Sequence, residues 1–423
     1  MSGNNTFELT GEQKKSIEKI ATEPTRAALI AEPTGSGKTI VAVYTLLHPL
    51  VNAKKTLVIC PVSTFDSWRD TLEDHAPHLP VFDVNAKTYT SALKQWQDPE
   101  ATGVWLIGRE WFSTATTDLW HKKEVFQQGK LRKVDDEDKP PKRAAKWSWR
   151  KYGKLFDVIV YDEAHAASNR NSQNSASLRQ IEPKRLKIAM SATYQGDKFQ
   201  GAWAVCRWLW KDQEHEDGTP IVDGSFWRWA NQWAIVEFSA FAEGGKQVGA
   251  ERNPGAFVKS LPCYTRTVTA KKPYQIYRCP LQLGPVQAQQ YNSMRDTSIA
   301  WLNDHPLVAD LPIVQKTRLR QMLLGTIDLS DEDEVVFPED TVSVKFEALL
   351  KIIEREPGEK ILVFVDSKKI PPIFADRLNQ QGLKAAHWTG GVSKVRRAKI
   401  KERFMLPYDD PDAVNFLVAS TTS

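Results

Sequence analysis

The chain is poor in cysteine. Cys60, Cys206, Cys263 and Cys279 are scattered through 423 residues with no Cys-x-x-Cys pair. That argues against a disulfide framework and against a structural zinc site, and it fits a reducing cytoplasm. No apolar run is long enough to span a bilayer, so no membrane association is expected. The polar opening "MSGNNTFELTGEQKK" lacks a signal-peptide core. A large excess of one charge is also missing. The 57 basic and 52 acidic residues leave +5, too little by itself to imply a polyanionic partner. No internal repeat or long low-complexity tract is present. What remains is a globular balance, 41% hydrophobic and 26% charged, with length for two or three domains.

Three short strings carry the chemistry. The first, "AEPTGSGKT", ends at Thr39 and follows an apolar run from Ala27 to Ala31 that reads as a buried strand. Gly35 and Gly37 permit a tight loop with inward N–H groups, a phosphate cradle formed with Pro33, Thr34 and Ser36. Lys38 is placed to reach terminal phosphates and the Thr39 hydroxyl to ligate magnesium. Residues 39–47 read as a helix whose positive end faces the phosphates. Glu32 stands where such loops usually have Ala or Gly.

The second string, "DEAH", ends the apolar run "LFDVIVY". Asp162 and Glu163 therefore fall at the carboxyl edge of a strand, where open α/β sheets bind ligands. The expected roles are metal binding for Asp162 and water activation for Glu163. The third string is "SAT", Ser191 to Thr193, after the strand-like "RLKIAM". Its hydroxyls are expected to exchange hydrogen bonds with the "DEAH" segment, including His165, and so to couple nucleotide state to the rest of the molecule. Upstream, Gln13 lies in "LTGEQKKSIEKI" on a helix-like stretch. Its amide either pairs with an adenine edge or is a surface group.

The strand-like runs "TLVICPV", "GVWLIG", "DVIVYDEAH" and "LKIAMSAT" alternate with helical stretches. That pattern predicts an α/β fold with a parallel sheet covered on both faces. Residues 130–154 are rich in Lys and Arg and carry Trp147 and Trp149. They read as an insertion, about residues 120–154, that is either a DNA-contacting loop or a solvated excursion. Residues 199–270 crowd six tryptophans (203, 208, 210, 227, 229 and 233), expected to pack a helical extension rather than stack on bases. A second alternation starts near Ser343. "VSVKFEALLKIIERE" is a helix, "KILVFVDS" a buried strand, and "IPPIFADRLNQQG" a helix closed by Gly382. "LKAAHWTGG", "SKVRRAKIKERF" and "VNFLVAS" continue it as strand, basic helix and strand.

Taken together these segments resemble the superfamily-two helicases, most closely the Swi/Snf-type double-stranded DNA translocases. Besides the three strings, the resemblance rests on "VICPVSTFDSW", "SNRNS", "FWRWANQW", "LPCYTRTV" with Arg266, and "CPLQLGPVQAQQYNSM". "EPTGSGKT" and "SAT" look more like general helicases and restriction-enzyme motors. The resemblance implies a RecA-like phosphate-loop lobe at residues 1–198, a helical extension and linker at 199–340, and a second, incomplete RecA-like lobe at 341–423. It implies a monomeric DNA-dependent ATPase that uses ATP and Mg²⁺ and grips double-stranded DNA mainly through phosphates. Ser63 and Arg109 would contact DNA from the first lobe, and Lys368 and Thr421 from the second. "FLVASTTS" resembles the beginning of the family's fifth motif, so a truncated motor that binds ATP but turns it over weakly is expected. A strand-separating helicase, a restriction-type motor and a nucleotide-dependent binding module are the alternatives.

Overall fold

The computed structural model describes residues 8–113, 115–119, 122–127, 130–135, 142–145, 149–239, 245–266, 275–302, 305–330 and 334–421. The chain divides into two compact units, Met1–Lys272 and Pro273–Ser423.

The first unit is built on a seven-stranded parallel sheet, an α/β arrangement of RecA type. Its strands in chain order are β1 (Ala27–Ile30), β2 (Lys55–Cys60), β3 (Val81–Val84), β4 (Gly103–Gly108), β5 (Val158–Asp162), β6 (Leu186–Met190) and β7 (Tyr264–Thr265). Across the sheet they run β7-β1-β6-β5-β2-β4-β3. The central strands are apolar at nearly every position because both faces are covered. Alternate residues feed two cores. Ile30, Val58, Val160 and Ile188 face helices α1 (Gly11–Ala21), α2 (Lys38–Leu47) and α3 (Phe65–His75), which bury Ile20, Val41, Trp68 and Leu72. Leu29, Ile59, Tyr161 and Ala189 face the other layer, which holds Trp96, Trp149, Trp203, Trp208 and Trp229.

Two expectations change here. The sequence drew a boundary after residue 198, yet helices α4 (Gly201–Leu209) and α5 (Phe226–Trp233) pack into the core of the first unit. β7 also completes its sheet, with Leu29 N–H donating to Cys263 O at 2.9 Å and Ala31 N–H to Thr265 O at 2.9 Å. The tryptophans explain the attachment. Each buried indole removes roughly 150–250 Å² from water, at most about 4–6 kcal/mol of transfer free energy. The second change concerns Trp149. It is fully buried rather than part of a basic loop, and its Nε1 donates to Phe112 O at 3.0 Å. The rest of the insertion forms two antiparallel pairs, Ala115–Leu119 with Lys142–Ala145 and Lys122–Gln127 with Lys130–Asp135. Trp147 lies outside the described residues.

In the second unit, helices α6 (Pro285–Thr297), α7 (Pro312–Met322) and α8 (Val344–Arg355) precede a three-stranded parallel sheet. Its elements are β8 (Ile361–Val365), α9 (Ile370–Gln380), β9 (Ala385–Trp388), α10 (Lys394–Met405) and β10 (Phe416–Ser420), with strand order β8-β10-β9. Gly382 takes φ 79° just past α9, the left-handed stop expected of it. β8 departs from the buried strand read in the sequence. It is an edge strand, and Leu362 and Phe364 on one face are 46% and 64% exposed. Among the described residues no helix is long and apolar enough to cross a membrane.

Candidate nucleotide site

The phosphate loop joins β1 to α2 at the carboxyl edge of the sheet. Gly35 and Gly37 take φ 80° and 86°, a region that side-chain-bearing residues avoid. Gly37 also has no room. A Cβ there would lie 2.6 Å from Gln13 Nε2. The Lys38 ammonium is held by the loop itself, donating to Glu32 O at 3.1 Å and Pro33 O at 3.0 Å. Pro33 O also accepts the Ser36 N–H at 3.3 Å, while Thr34 stands exposed at the rim. Thr39 lies in the first turn of α2, half-buried. The Ser36 hydroxyl is buried without a hydrogen-bond partner among the described residues.

Helix α1 braces this loop. Thr10 and Gln13 form a capping box, with the Gln13 Oε1 accepting from Thr10 N–H at 3.0 Å. Gln13 Nε2 donates to Ser36 O at 3.3 Å. The amide therefore fixes helix start to loop and keeps one N–H and one lone pair for a further partner. One turn on, the Ser16 hydroxyl donates to Glu32 Oε1 at 3.3 Å. Glu32 is 1% exposed, and its Oε2 has no hydrogen-bond partner among the described residues.

The acidic pair sits two strands away, at the end of β5. Asp162 is buried and both its oxygens are engaged. Oδ2 accepts from Trp68 Nε1 at 3.0 Å and Oδ1 from Glu163 N–H at 2.8 Å. Burial pushes its pKa up and the neighbouring Glu163 charge adds to this. The Trp68 and backbone hydrogen bonds and the Lys38 charge oppose the rise. Glu163 takes the left-handed conformation, φ 51° and ψ 53°, which turns its side chain off the strand. Its Oε2 lies 3.1 Å from His165 Nδ1. That hydrogen bond is the largest cause of a lowered pKa, ahead of an opposing burial effect and the favourable charges of His165, Lys38 and Arg109. His165 Nδ1 also lies 3.2 Å from Ser191 Oγ. An ionised carboxylate only accepts, so Nδ1 carries the proton in this pair. Thr193 joins through its backbone, whose N–H donates to Ser191 Oγ at 3.2 Å; among the described residues its hydroxyl makes no hydrogen bond to the acidic segment, contrary to the expectation for it.

β6 lies between β1 and β5, so Ser191 falls between the phosphate loop and the acidic pair. Ser191 N–H donates to Ile30 O at 3.0 Å. Gln13, residues 33–39, Asp162, Glu163, His165, Ser191 and Thr193 thus gather along one sheet edge. Ser63 is exposed in the short 3₁₀ turn after β2, and Arg109 opens a short helix after β4 at the same edge. In the second unit, Lys368 is exposed just past β8. Thr421 follows β10, its N–H donating to Val365 O at 3.0 Å and its hydroxyl to Asp366 Oδ1 at 3.3 Å.

Two participants escaped the sequence reading. Trp68 is in the quoted "PVSTFDSW" string, but only the adjacency of β2 and β5 shows that its indole reaches Asp162. Ser16 pairs with Glu32 because α1 lies over the loop. A serine three positions after Gln13 on the same helix is the signal that was available.

The edge loops, the paired acids and the lysine have the arrangement expected of a phosphate-loop nucleotide site. The family comparison agrees: residues 6–196 match the family described as type III restriction enzyme, res subunit. The match covers the phosphate loop, the acidic pair and Ser191–Thr193, and so is a likeness of this segment to a helicase-type ATPase domain. No curated protein matches the sequence. Solved structures are similar as well, two of them from one organism. One is the Sulfolobus solfataricus SWI2/SNF2 ATPase core in complex with dsDNA, at 16% identity and TM-score 0.42, covering 98% of this chain and 78% of that one. The other is the SWI2/SNF2 ATPase core domain of the same organism, at 15% and 0.38, covering 98% and 77%.

Proposed function

We propose that the protein hydrolyses ATP to ADP and phosphate and couples this to movement on double-stranded DNA. The convergence of the Lys38 loop with Asp162 and Glu163 on one sheet edge, tied to Ser191 through His165, carries the reading. The backbone N–H groups of residues 34–39 and the Lys38 ammonium hold the triphosphate, and Gln13 offers its remaining donor and acceptor to the base. Thr39 and Asp162 supply hard oxygen ligands that fit Mg²⁺, which when bound offsets the negative charge of the phosphates. Glu163, ionised and oriented by His165, positions and deprotonates the attacking water. Ser191 and Thr193 sense that arrangement. Ser63 and Arg109 in the first unit, and Lys368 and Thr421 in the second, are proposed to meet DNA phosphates.

Phosphate contacts carry little sequence information and depend steeply on salt. The expected behaviour is therefore duplex-stimulated ATPase activity with sequence-indifferent, salt-sensitive binding. ATP turnover assayed with and without duplex tests it. Absence of hydrolysis and of nucleotide binding would end the proposal. The family match favours one second reading, a restriction-type or strand-separating motor. Displacement of an annealed strand, with equal stimulation by single strands, would select it.

A further inference from the structure

We propose that a recess beside the ATP site, walled by Arg170, Lys198, Trp227 and Lys246, holds the sugar-phosphate backbone of a nucleic-acid strand. This rests on the nucleic-acid-dependent reading above and gives it a location.

The recess encloses about 570 Å³, within the roughly 300–1,000 Å³ of ordinary ligand sites. Its floor and walls are the loops that continue from the acidic segment and from Ser191–Thr193, together with the start of α5 and the Lys246–Glu251 strand. Among the described residues three cations line it, Arg170, Lys198 and Lys246, against one acid, Asp197. None of the three cations has an ion-pair partner among the described residues. Instead the Arg170 guanidinium lies over the Phe226 ring, 4.1 Å from its centroid, and 5.8 Å from that of Trp227. Lys246 Nζ stands 5.9 Å from the Trp227 centroid.

This arrangement is built for an anion. A guanidinium laid on a ring keeps its in-plane N–H fork free, and that fork matches phosphate oxygens. Stacking lowers the freedom Arg170 would lose on binding. Trp227, half-buried, adds an aromatic face of the kind on which bases stack in sequence-tolerant binding. Cations without ion-pair partners among the described residues, an arginine seated over a ring and an adjacent indole together fit a strand better than a compact metabolite.

The position adds a consequence. A Cβ on Gly196 would come 2.8 Å from Ser168 Oγ, and one on Gly201 would come 2.8 Å from Ser168 Cβ. The loop after the acidic segment and the loop after Ser191–Thr193 are thus packed without a gap. A strand in the recess touches both loops at once, directly downstream of Glu163, His165 and Thr193.

The test is fluorescence anisotropy of a labelled duplex and a labelled single strand over a salt series, with the whole chain and with Arg170→Ala/Lys246→Ala. Each lost phosphate contact lowers the slope of log K against log salt by about 1. The double variant should lose about 1–2 in slope and bind at least tenfold more weakly at low salt, while circular dichroism and a fluorescent ATP analogue report an intact fold. Arg170→Lys should recover slope but not full affinity, since it restores charge without the fork. Unchanged slope and affinity in the double variant would overturn the site. So would inorganic pyrophosphate that, at matched ionic strength and micromolar concentration, binds the intact protein but not the variant while leaving strand binding to the intact protein unchanged, because the recess would then belong to a small anion. If the unmutated chain binds no nucleic acid at any salt, the underlying reading fails as well, and that result is distinct from the other two.

Discussion

Replacing Trp68 by Phe isolates the hydrogen bond on which Asp162 depends. The indole is 1% exposed and the carboxylate residue 7%, so the 3.0 Å contact is made out of water. Such a bond to a charged group contributes about 1.5–3 kcal/mol. Phenylalanine keeps most of the ring but removes the N–H, leaving one Asp162 oxygen buried without a donor. The ionised form, which a metal requires, then loses a principal support against burial. At about 1.4 kcal/mol per factor of ten, the Mg²⁺ concentration needed for half-maximal nucleotide binding should rise roughly 10- to 100-fold. That matches the usual effect of removing a partner that orients a metal ligand.

The assay is a Mg²⁺ titration of binding of a fluorescent ATP analogue, alongside thermal melting without nucleotide. Leu72→Ala provides the control. Leu72 is fully buried on the same helix, and its truncation costs about 2–5 kcal/mol of stability without touching the Asp162 hydrogen bonds. If Trp68→Phe melts lower but shows the Mg²⁺ dependence of the unmutated protein, the reasoning is wrong. It is equally wrong if Leu72→Ala shifts the Mg²⁺ dependence as much.

Other substitutions separate the remaining parts of the site. Lys38→Ala should abolish nucleotide binding in the same titration, whereas Glu163→Gln should bind normally and hydrolyse at a small fraction of the normal rate; normal turnover by Glu163→Gln would reassign the water-activating group. Gly37→Ala should lower the melting temperature more than Gly35→Ala, because both strain a left-handed backbone at about 1–2 kcal/mol but only the first drives a methyl into Gln13. Glu32→Gln should melt at or above the temperature of the unmutated protein, since it keeps an acceptor for Ser16 and removes a buried carboxyl oxygen that has no partner among the described residues. Glu32→Ala should melt lower, and the reverse order would mean that Oε2 has a donor.

Much of the first unit was legible because its strands are short apolar runs with chemistry at their carboxyl ends. β1, β4, β5 and β6 all fall within runs read from sequence, while β2 and α2 each begin one residue before the position expected. What was hidden depended on contacts between distant segments. β7 is two residues long, too short to show any period, and it is a strand only because Leu29 and Ala31 hydrogen-bond beside it. Its placement carries residues 199–265 into the first unit and erases the boundary that composition implied. Trp149 was misread for a related reason. Its neighbours in sequence are basic, but its neighbours in space are Phe112 and Trp96. β8 erred in the other direction: an apolar run shows that a strand forms, not how many faces of it are covered.

The same dependence on distant segments sets what the candidate site can do. Glu163 stays in a left-handed backbone that costs about 1–2 kcal/mol for a residue with a side chain. It is held there by a short hydrogen-bond chain through His165 and Ser191 to Thr193. Both ends of that chain run on into the packed loops of the recess. A ligand can bias such a chain only by the difference in its affinity for the two arrangements. One or two phosphate contacts, each changing binding severalfold to tenfold, supply a difference of the same size as the strain at Glu163. Under the proposal made above, a strand whose contacts with Arg170 and Lys246 differ between two arrangements of these loops would shift the orientation of the Glu163 carboxylate.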